Sequence, residues 1–182
     1  MNINNGLFTS EAVSAGHPDK LCDRISDTIL DEFLARDKLA RVACETFAAD
    51  GKIIVAGEFR TKNPQHFKQV EELTPEIVRR TLRQIGYGKQ ALDIDPDTCE
   101  IEVRFNHQSP QIAAGVDQAD QVLGAGDQGL MFGYASDETP HLTPLAWTLA
   151  TALIAEGTKL VHQPNSVLRP DAKSQVTLRY QD

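Results

Sequence analysis

Cysteine is scarce in this chain, and the three present, Cys22, Cys44 and Cys99, stand far apart. An odd number of scattered thiols argues against a disulfide-stapled scaffold, and no Cys or His pair has zinc-site spacing. Free thiols fit a reducing compartment. Aromatic residues make up only 6%, and 18 Lys and Arg fall short of 26 Asp and Glu, for a formal net charge of -8. A nucleic-acid surface requires a basic stripe, so nucleic acid is not an expected partner. Phosphates could bind only through a local cluster of Lys, Arg and His. Long hydrophobic runs are missing too: the longest uncharged stretch, near residues 139–155, carries Thr, Pro and His and is too short to span a bilayer. No signal peptide is visible, and a soluble, cytoplasmic protein is expected, with no membrane partner.

Several catalytic signatures are absent as well. Gly86-Tyr87-Gly88-Lys89 lacks the spacing and the hydroxyl residue of a Walker A loop, and there is no G-x-S-x-G elbow. Gly124-Ala125-Gly126-Asp127-Gln128-Gly129 satisfies G-x-G-x-x-G. However, an irregular stretch precedes it and a strand-like one follows, the wrong context for a dinucleotide site.

What is present is a mixed pattern in 182 residues, 41% of them apolar. Leu21, Ile25, Ile29 and Phe33 recur at helical spacing, which predicts a helix over 18–35. "RVACETFA" and "KIIVAGEFR" predict two strands joined by an Asp50-Gly51 hairpin turn. Thr74-Pro75 reads as the cap and first residue of a helix ending before Gly86. "CEIEVRF" (99–105) alternates, with Ile101, Val103 and Phe105 inward. Residues 106–128 are small and polar, and a patternless connection longer than about 12–15 residues is usually functional or disordered; it reads as a mobile loop over a site. "GLMFGYA" (129–135) reads as a strand, residues from Thr143-Pro144 to about Glu156 as a helix stopped by Gly157, and "SQVTLRY" (174–180) as a last strand. No partner segment follows that strand, which suggests a fragment. Hairpins mixed with helices indicate an α+β fold.

Three constellations carry possible chemistry. In Gly16-His17-Pro18-Asp19-Lys20, Pro18 suits the first helical position and Asp19 the positive end of the helix dipole. His17 is an unusual residue before a helix, where Ser, Thr, Asp or Asn is the ordinary cap. A histidine there can face an anion, and one neighbouring carboxylate can hold magnesium on a polyphosphate. In the hairpin, a two-residue turn sets Glu45 opposite Ala56 and Glu58 opposite Ala43. Both acids then share a face, roughly 7–8 Å apart on the diagonal, either exposed to water or holding a cation or ammonium. Arg169-Pro170-Asp171-Ala172-Lys173 is a turn feeding the last strand, either merely charged or a phosphate site.

"EAVSAGHPDKLCDRISDTILD", "GAGDQGLMFGYASDET" and "LRPDAKSQV", in this order and spacing, closely resemble S-adenosylmethionine synthetase (methionine adenosyltransferase), with "ARVACET" and "IGYG" between them. The resemblance implies mixed sheets with helices packed on one face, incomplete relative to the three-domain family fold. It implies residues 1–105 as an N-terminal region, 106–128 as the gating loop and 129–182 as part of a central region. It further implies formation of S-adenosylmethionine from ATP and L-methionine with release of phosphate and pyrophosphate. Carried over, His17 and Lys173 are catalytic, His17, Asp127, Asp171, Ala172 and Lys173 bind ATP, and Glu58 and Gln108 contact methionine. Asp19 holds Mg2+ and Glu45 is associated with K+, the two implied cofactors. A homo-oligomer, dimer or tetramer, is expected. The loop departs from the family at Gln111, where an aspartate is usual, and no role is carried onto it. The alternative reading is a non-catalytic ATP-binding or assembly module of the same family; an unrelated magnesium-dependent triphosphate hydrolase is a weaker one.

Overall fold

Alternating segments bury one face each and pair into two sheets. A computed structural model describes residues 6–88, 94–109 and 128–181. The elements run β1 (Gly6–Val13), α1 (Pro18–Arg36), β2 (Arg41–Ala49), β3 (Lys52–Arg60), α2 (Pro64–Ile85), β4 (Glu100–His107), α3 (Leu145–Val161) and β5 (Lys173–Tyr180).

The first sheet has the order β2-β3-β4. Asp50 and Gly51 take φ values of 49° and 73°, the two positive angles of a type I′ turn, so β2 and β3 pair antiparallel in the expected register. β4 returns parallel to β3 after the α2 crossover, which makes the sheet mixed. Ile53, Val55, Phe59 and Phe105 point to one face and meet Leu21, Ile25, Ile29 and Phe33 of α1 and Val70, Val78 and Leu82 of α2. Phe33 stacks on Phe59 at 4.8 Å between centroids, and Phe59 lies 4.2 Å from Phe105. The α+β fold with helices on one face of a mixed sheet is therefore as expected.

α2 begins ten residues before Thr74. Asn63 caps it, its side chain accepting Gln65 N–H at 3.0 Å, with Pro64 first in the helix and Pro75 inside it. Phe67 and Val70 extend the buried stripe upstream, so core packing outweighs the missing N–H at Pro75. Thr74 is not a cap; its hydroxyl donates back to Val70 O at 2.7 Å. The helix closes with Gly86 in the left-handed region (φ 114°), its N–H bonding to Arg83 O while Tyr87 N–H bonds to Leu82 O.

The second sheet pairs β1 with β5 antiparallel, Gly6 opposite Tyr180 and Val13 opposite Lys173. β5 therefore does have a partner, at the other end of the sequence; β1 was not anticipated, because its alternation is broken by Ser10 and Glu11. α3 packs across both strands. It runs through Gly157 to Val161, beyond the stop expected at Gly157: nothing lies within 4 Å of a Cβ there, and Thr158 donates to Ile154 O in the ongoing helix. Residues 129–135 form no strand. Phe132 is 92% exposed and Met131 90%, and with no neighbouring strand among the described residues to hydrogen-bond, a β-pattern alone does not make one.

Candidate functional site

The two layers meet where α1 begins. His17 takes extended backbone angles (φ -62°, ψ 139°) and caps α1 itself, its Nδ1 accepting Asp19 N–H at 3.3 Å. The odd residue thus has a local structural role. This bond puts a lone pair on Nδ1 and the imidazole proton on Nε2. The Asp19 carboxylate is 3.7 Å from the same Nδ1, but a nitrogen accepting an N–H is no cation, so the contact is not read as an ion pair. Asp19 itself is exposed.

Arg169–Lys173 lies directly against this helix start. Gly16 N–H donates to Pro170 O at 3.1 Å and Ser14 N–H to Ala172 O at 2.9 Å. A Cβ on Gly16 would sit 2.4 Å from the Pro170 carbonyl carbon, so only glycine permits the approach. Residues 169–172 have no regular structure, whereas Lys173 already belongs to β5 rather than to the turn. Lys173 Nζ pairs with Glu11 Oε2 across the ladder at 2.7 Å. Beside the junction Pro18, Asp50, Tyr87, Ile94, Pro170 and Asp171 line a cleft of about 320 Å³.

The remaining residues lie on the open face of the first sheet. Glu45 pairs with Ala56 and Glu58 with Ala43, and both carboxylates point away from the core, exposed. Phe47 is exposed on the same face. Lys52 takes up Glu100 at 2.8 Å and Glu102 at 2.6 Å, and these contacts raise its pKa while Lys52 and Arg104 lower that of Glu102. Gln108 follows β4, its N–H donating to Phe59 O at 3.0 Å. The parallel register continues Glu58 to Asn106, which sets Gln108 at the same end of the sheet as Glu58. Its side-chain oxygen Oε1 is buried without a hydrogen-bond partner among the described residues.

Two groupings follow: His17, Asp19, Asp171, Ala172 and Lys173 at the junction, and Glu45, Glu58 and Gln108 on the sheet face. Asp127, Gln111 and most of the expected gating loop (110–127 of 106–128) lie outside the described residues. Sequence reasoning passed over Ser14 and Tyr87, both buried at the junction; their position inside quoted motifs was the only available signal. The thiols are no part of the site: burial pushes Cys44 up to about 11 and raises Cys22 and Cys99. No helix among the described residues is long and apolar enough to cross a membrane.

Fold and junction define an α+β protein of two helix-covered sheets, with its ionisable groups gathered where a helix start meets a strand start. The family model for the S-adenosylmethionine synthetase N-terminal domain matches residues 5–110, and that for the central domain matches 122–182. The chain therefore belongs to the S-adenosylmethionine synthetase family. It is similar to the S-adenosylmethionine synthase of Mesoplasma florum, 47% identical over 177 residues, covering 97% of this chain and 45% of that protein. For the Cereibacter sphaeroides synthase the identity is 48%, covering 100% of this chain and 46% of the relative. For the Thermus thermophilus synthase it is 48%, covering 96% and 46%. The chain spans about half the length of the curated relatives it matches.

Proposed function

We propose that this chain supplies part of the site that forms S-adenosylmethionine from ATP and L-methionine, releasing phosphate and pyrophosphate. The observation that carries the reading is the junction: a histidine-capped helix start and a lysine-bearing strand start, remote in sequence, are joined by direct backbone hydrogen bonds.

In this reading the methionine sulfur attacks the ribose C5′, the C5′–O bond breaks, and its electron pair leaves with the triphosphate. The difficulty is charge on the leaving group, so fixed donors and cations matter more than a covalent intermediate. His17, with Nδ1 occupied, presents Nε2–H to a triphosphate oxygen, and the α1 N-terminus favours the same negative charge. Lys173 exchanges its Glu11 partner for a phosphate, while Asp171 and Ala172, with Asp127, contact the nucleotide. Glu58 takes the methionine ammonium, and the carbonyl oxygen of Gln108, unpartnered among the described residues, offers a further acceptor.

Asp19 would hold a magnesium ion: it is one exposed carboxylate at the helix start, and with no cluster of three ligands among the described residues it suits a cation shared with a phosphate rather than a closed protein cage. Glu45, an exposed carboxylate on the sheet face it shares with Glu58, would hold a weakly bound potassium ion. When bound there, such cations would supply neutralisation of the negative charge on the departing triphosphate. Closure of the loop over 108–118 excludes water. A cytoplasmic homo-oligomer, with further groups from the remaining length of its relatives, completes this reading.

The test is S-adenosylmethionine formation, measured by mass spectrometry with ATP, methionine, Mg2+ and K+. The chain is assayed alone and with the remaining portion of a relative such as the Mesoplasma florum protein. Product that requires the added portion and disappears in His17→Ala is the expected result. Phosphate release that ignores methionine would point to a triphosphate hydrolase instead and sink the reading.

A further inference from the structure

Ser14 and Tyr87 have no place in the chemistry above, yet both hydroxyls bind backbone at the junction, that of Ser14 at Pro170 and Ala172 and that of Tyr87 at Gly16. Ser14 is 6% exposed; its Oγ donates to Pro170 O at 2.6 Å and accepts Ala172 N–H at 2.7 Å. One hydroxyl thereby grips the backbone on both sides of Asp171, more than 150 positions away. Tyr87 is 7% exposed, and its phenol donates to Gly16 O, the carbonyl directly before His17, at 2.5 Å. The Gly86 turn that ends α2 aims the ring there. A junction that needed only closure could use apolar side chains, since a buried hydroxyl is costly unless bonded. Hydroxyls bonded in defined directions instead fix one relative placement of the segments they join.

We propose that Ser14 and Tyr87 are positioning residues that hold His17 in fixed register with Asp171 and Lys173. The inference rests on reading His17 and Lys173 as the groups that face the triphosphate. Neither Ser14 nor Tyr87 touches substrate; they act through the backbone of Gly16, Pro170 and Ala172. Groups that must oppose charge on a leaving triphosphate are effective only if placed before it develops, and a misplacement of about 1 Å can cost on the order of 100-fold in rate. The bonds from Ser14 N–H to Ala172 O and from Gly16 N–H to Pro170 O need no side chain. Ser14→Ala and Tyr87→Phe therefore loosen the junction while the two segments stay adjacent.

The variants are compared in the product assay above, with His17→Ala and Lys173→Ala as references, and by amide hydrogen exchange over residues 14–17 and 170–173. Ser14→Ala is expected to lower kcat about tenfold and Tyr87→Phe several-fold, with the methionine KM within about twofold. Ala172 N–H should exchange faster in Ser14→Ala while the cores of α1 and β3 keep their protection. Adding Ser14→Ala to Lys173→Ala should slow turnover by no more than about twofold further, because register no longer matters once the ammonium is gone. Unchanged kcat in Ser14→Ala, or effects that multiply fully in the double variant, overturns the proposal. Full turnover in both reference variants would instead overturn the underlying reading of His17 and Lys173. In that case unchanged Ala172 exchange in Ser14→Ala still overturns the coupling by itself, and faster exchange upholds it.

Discussion

The two sheets of this protein treat their apolar residues in opposite ways. Around β2-β3-β4 the core is closed: Leu21, Ile25, Phe33 and Phe59 have no exposure at all, sealed by α1 and α2. Around β1 and β5 a single helix covers one face, with Ala146 and Ala150 buried beneath it, while Leu149, Leu153 and Leu160 of α3 and Leu130 to Phe132 stay exposed. A sheet that is part of a closed core positions side chains rigidly, which suits the Glu58 and Gln108 end propped by Phe59 and Phe105. The second region depends on its seam to the first, and that seam is where the turn before His17 meets the segment leading into Lys173.

The contrast breaks most visibly by truncating each region in turn. Phe59→Ala removes the centre of the aromatic cluster and should cost about 3–5 kcal/mol; Leu153→Ala, on an exposed helix face, should stay within about 0.5 kcal/mol. Urea unfolding compares them, and similar losses would mean that α3 is as enclosed as the first core. Gly16→Ala comes next. Its methyl would overlap Pro170 backbone, so the seam must open, at about 1–3 kcal/mol, the typical cost of forced overpacking; its signature is faster exchange at 170–172 without loss of β2-β3-β4 protection.

A pH dependence should then also mark the second region. Glu138 accepts the Tyr180 phenol and, at 3.1 Å, Leu145 N–H, standing in for the side-chain cap that Pro144 cannot provide. The phenol first, then this N–H, holds its carboxyl below the usual range. A depressed carboxyl pKa adds stability above the unfolded value, and that stability is lost as pH falls through the folded value. Exchange of α3 and β5 amides should therefore accelerate as pH drops below about 4, after correction for intrinsic rates, and Glu138→Gln should remove that dependence. The smallest change is Gly157→Ala, which meets no neighbour and should stabilise α3 by about 0.5–1 kcal/mol, read as a raised melting temperature.

The same contrast explains what the sequence revealed. In the first region most patterns are completed by residues nearby in the chain: the i, i+4 stripe of α1, the Asp-Gly turn and the alternation of β4 lead to the core face, the β2-β3 register and the shared face of Glu45 and Glu58. The parallel pairing of β4 and the start of α2, by contrast, are not marked locally. In the second region the determinants are distant. β5 needs β1, some 170 residues away, and "GLMFGYA" carries a strand pattern without a strand beside it among the described residues. Pro75 and Gly157 read as boundaries because local propensity was weighed alone, whereas packing on either side carries both helices through. His17 was recognised for its anion chemistry but not as the cap it is, and the Ser14 and Tyr87 hydroxyls have no pattern that marks them. Motif order, rather than periodicity, brought His17, Asp171 and Lys173 together.

Calorimetric titration with a non-hydrolysable ATP analogue and Mg2+ tests most directly whether the seam is a triphosphate site. The account predicts saturable binding that falls at least about tenfold in His17→Ala and in Lys173→Ala, the loss of a charge-assisted contact, and less in Glu45→Ala on the far sheet face. Equal affinity in the wild type and both seam variants would contradict it.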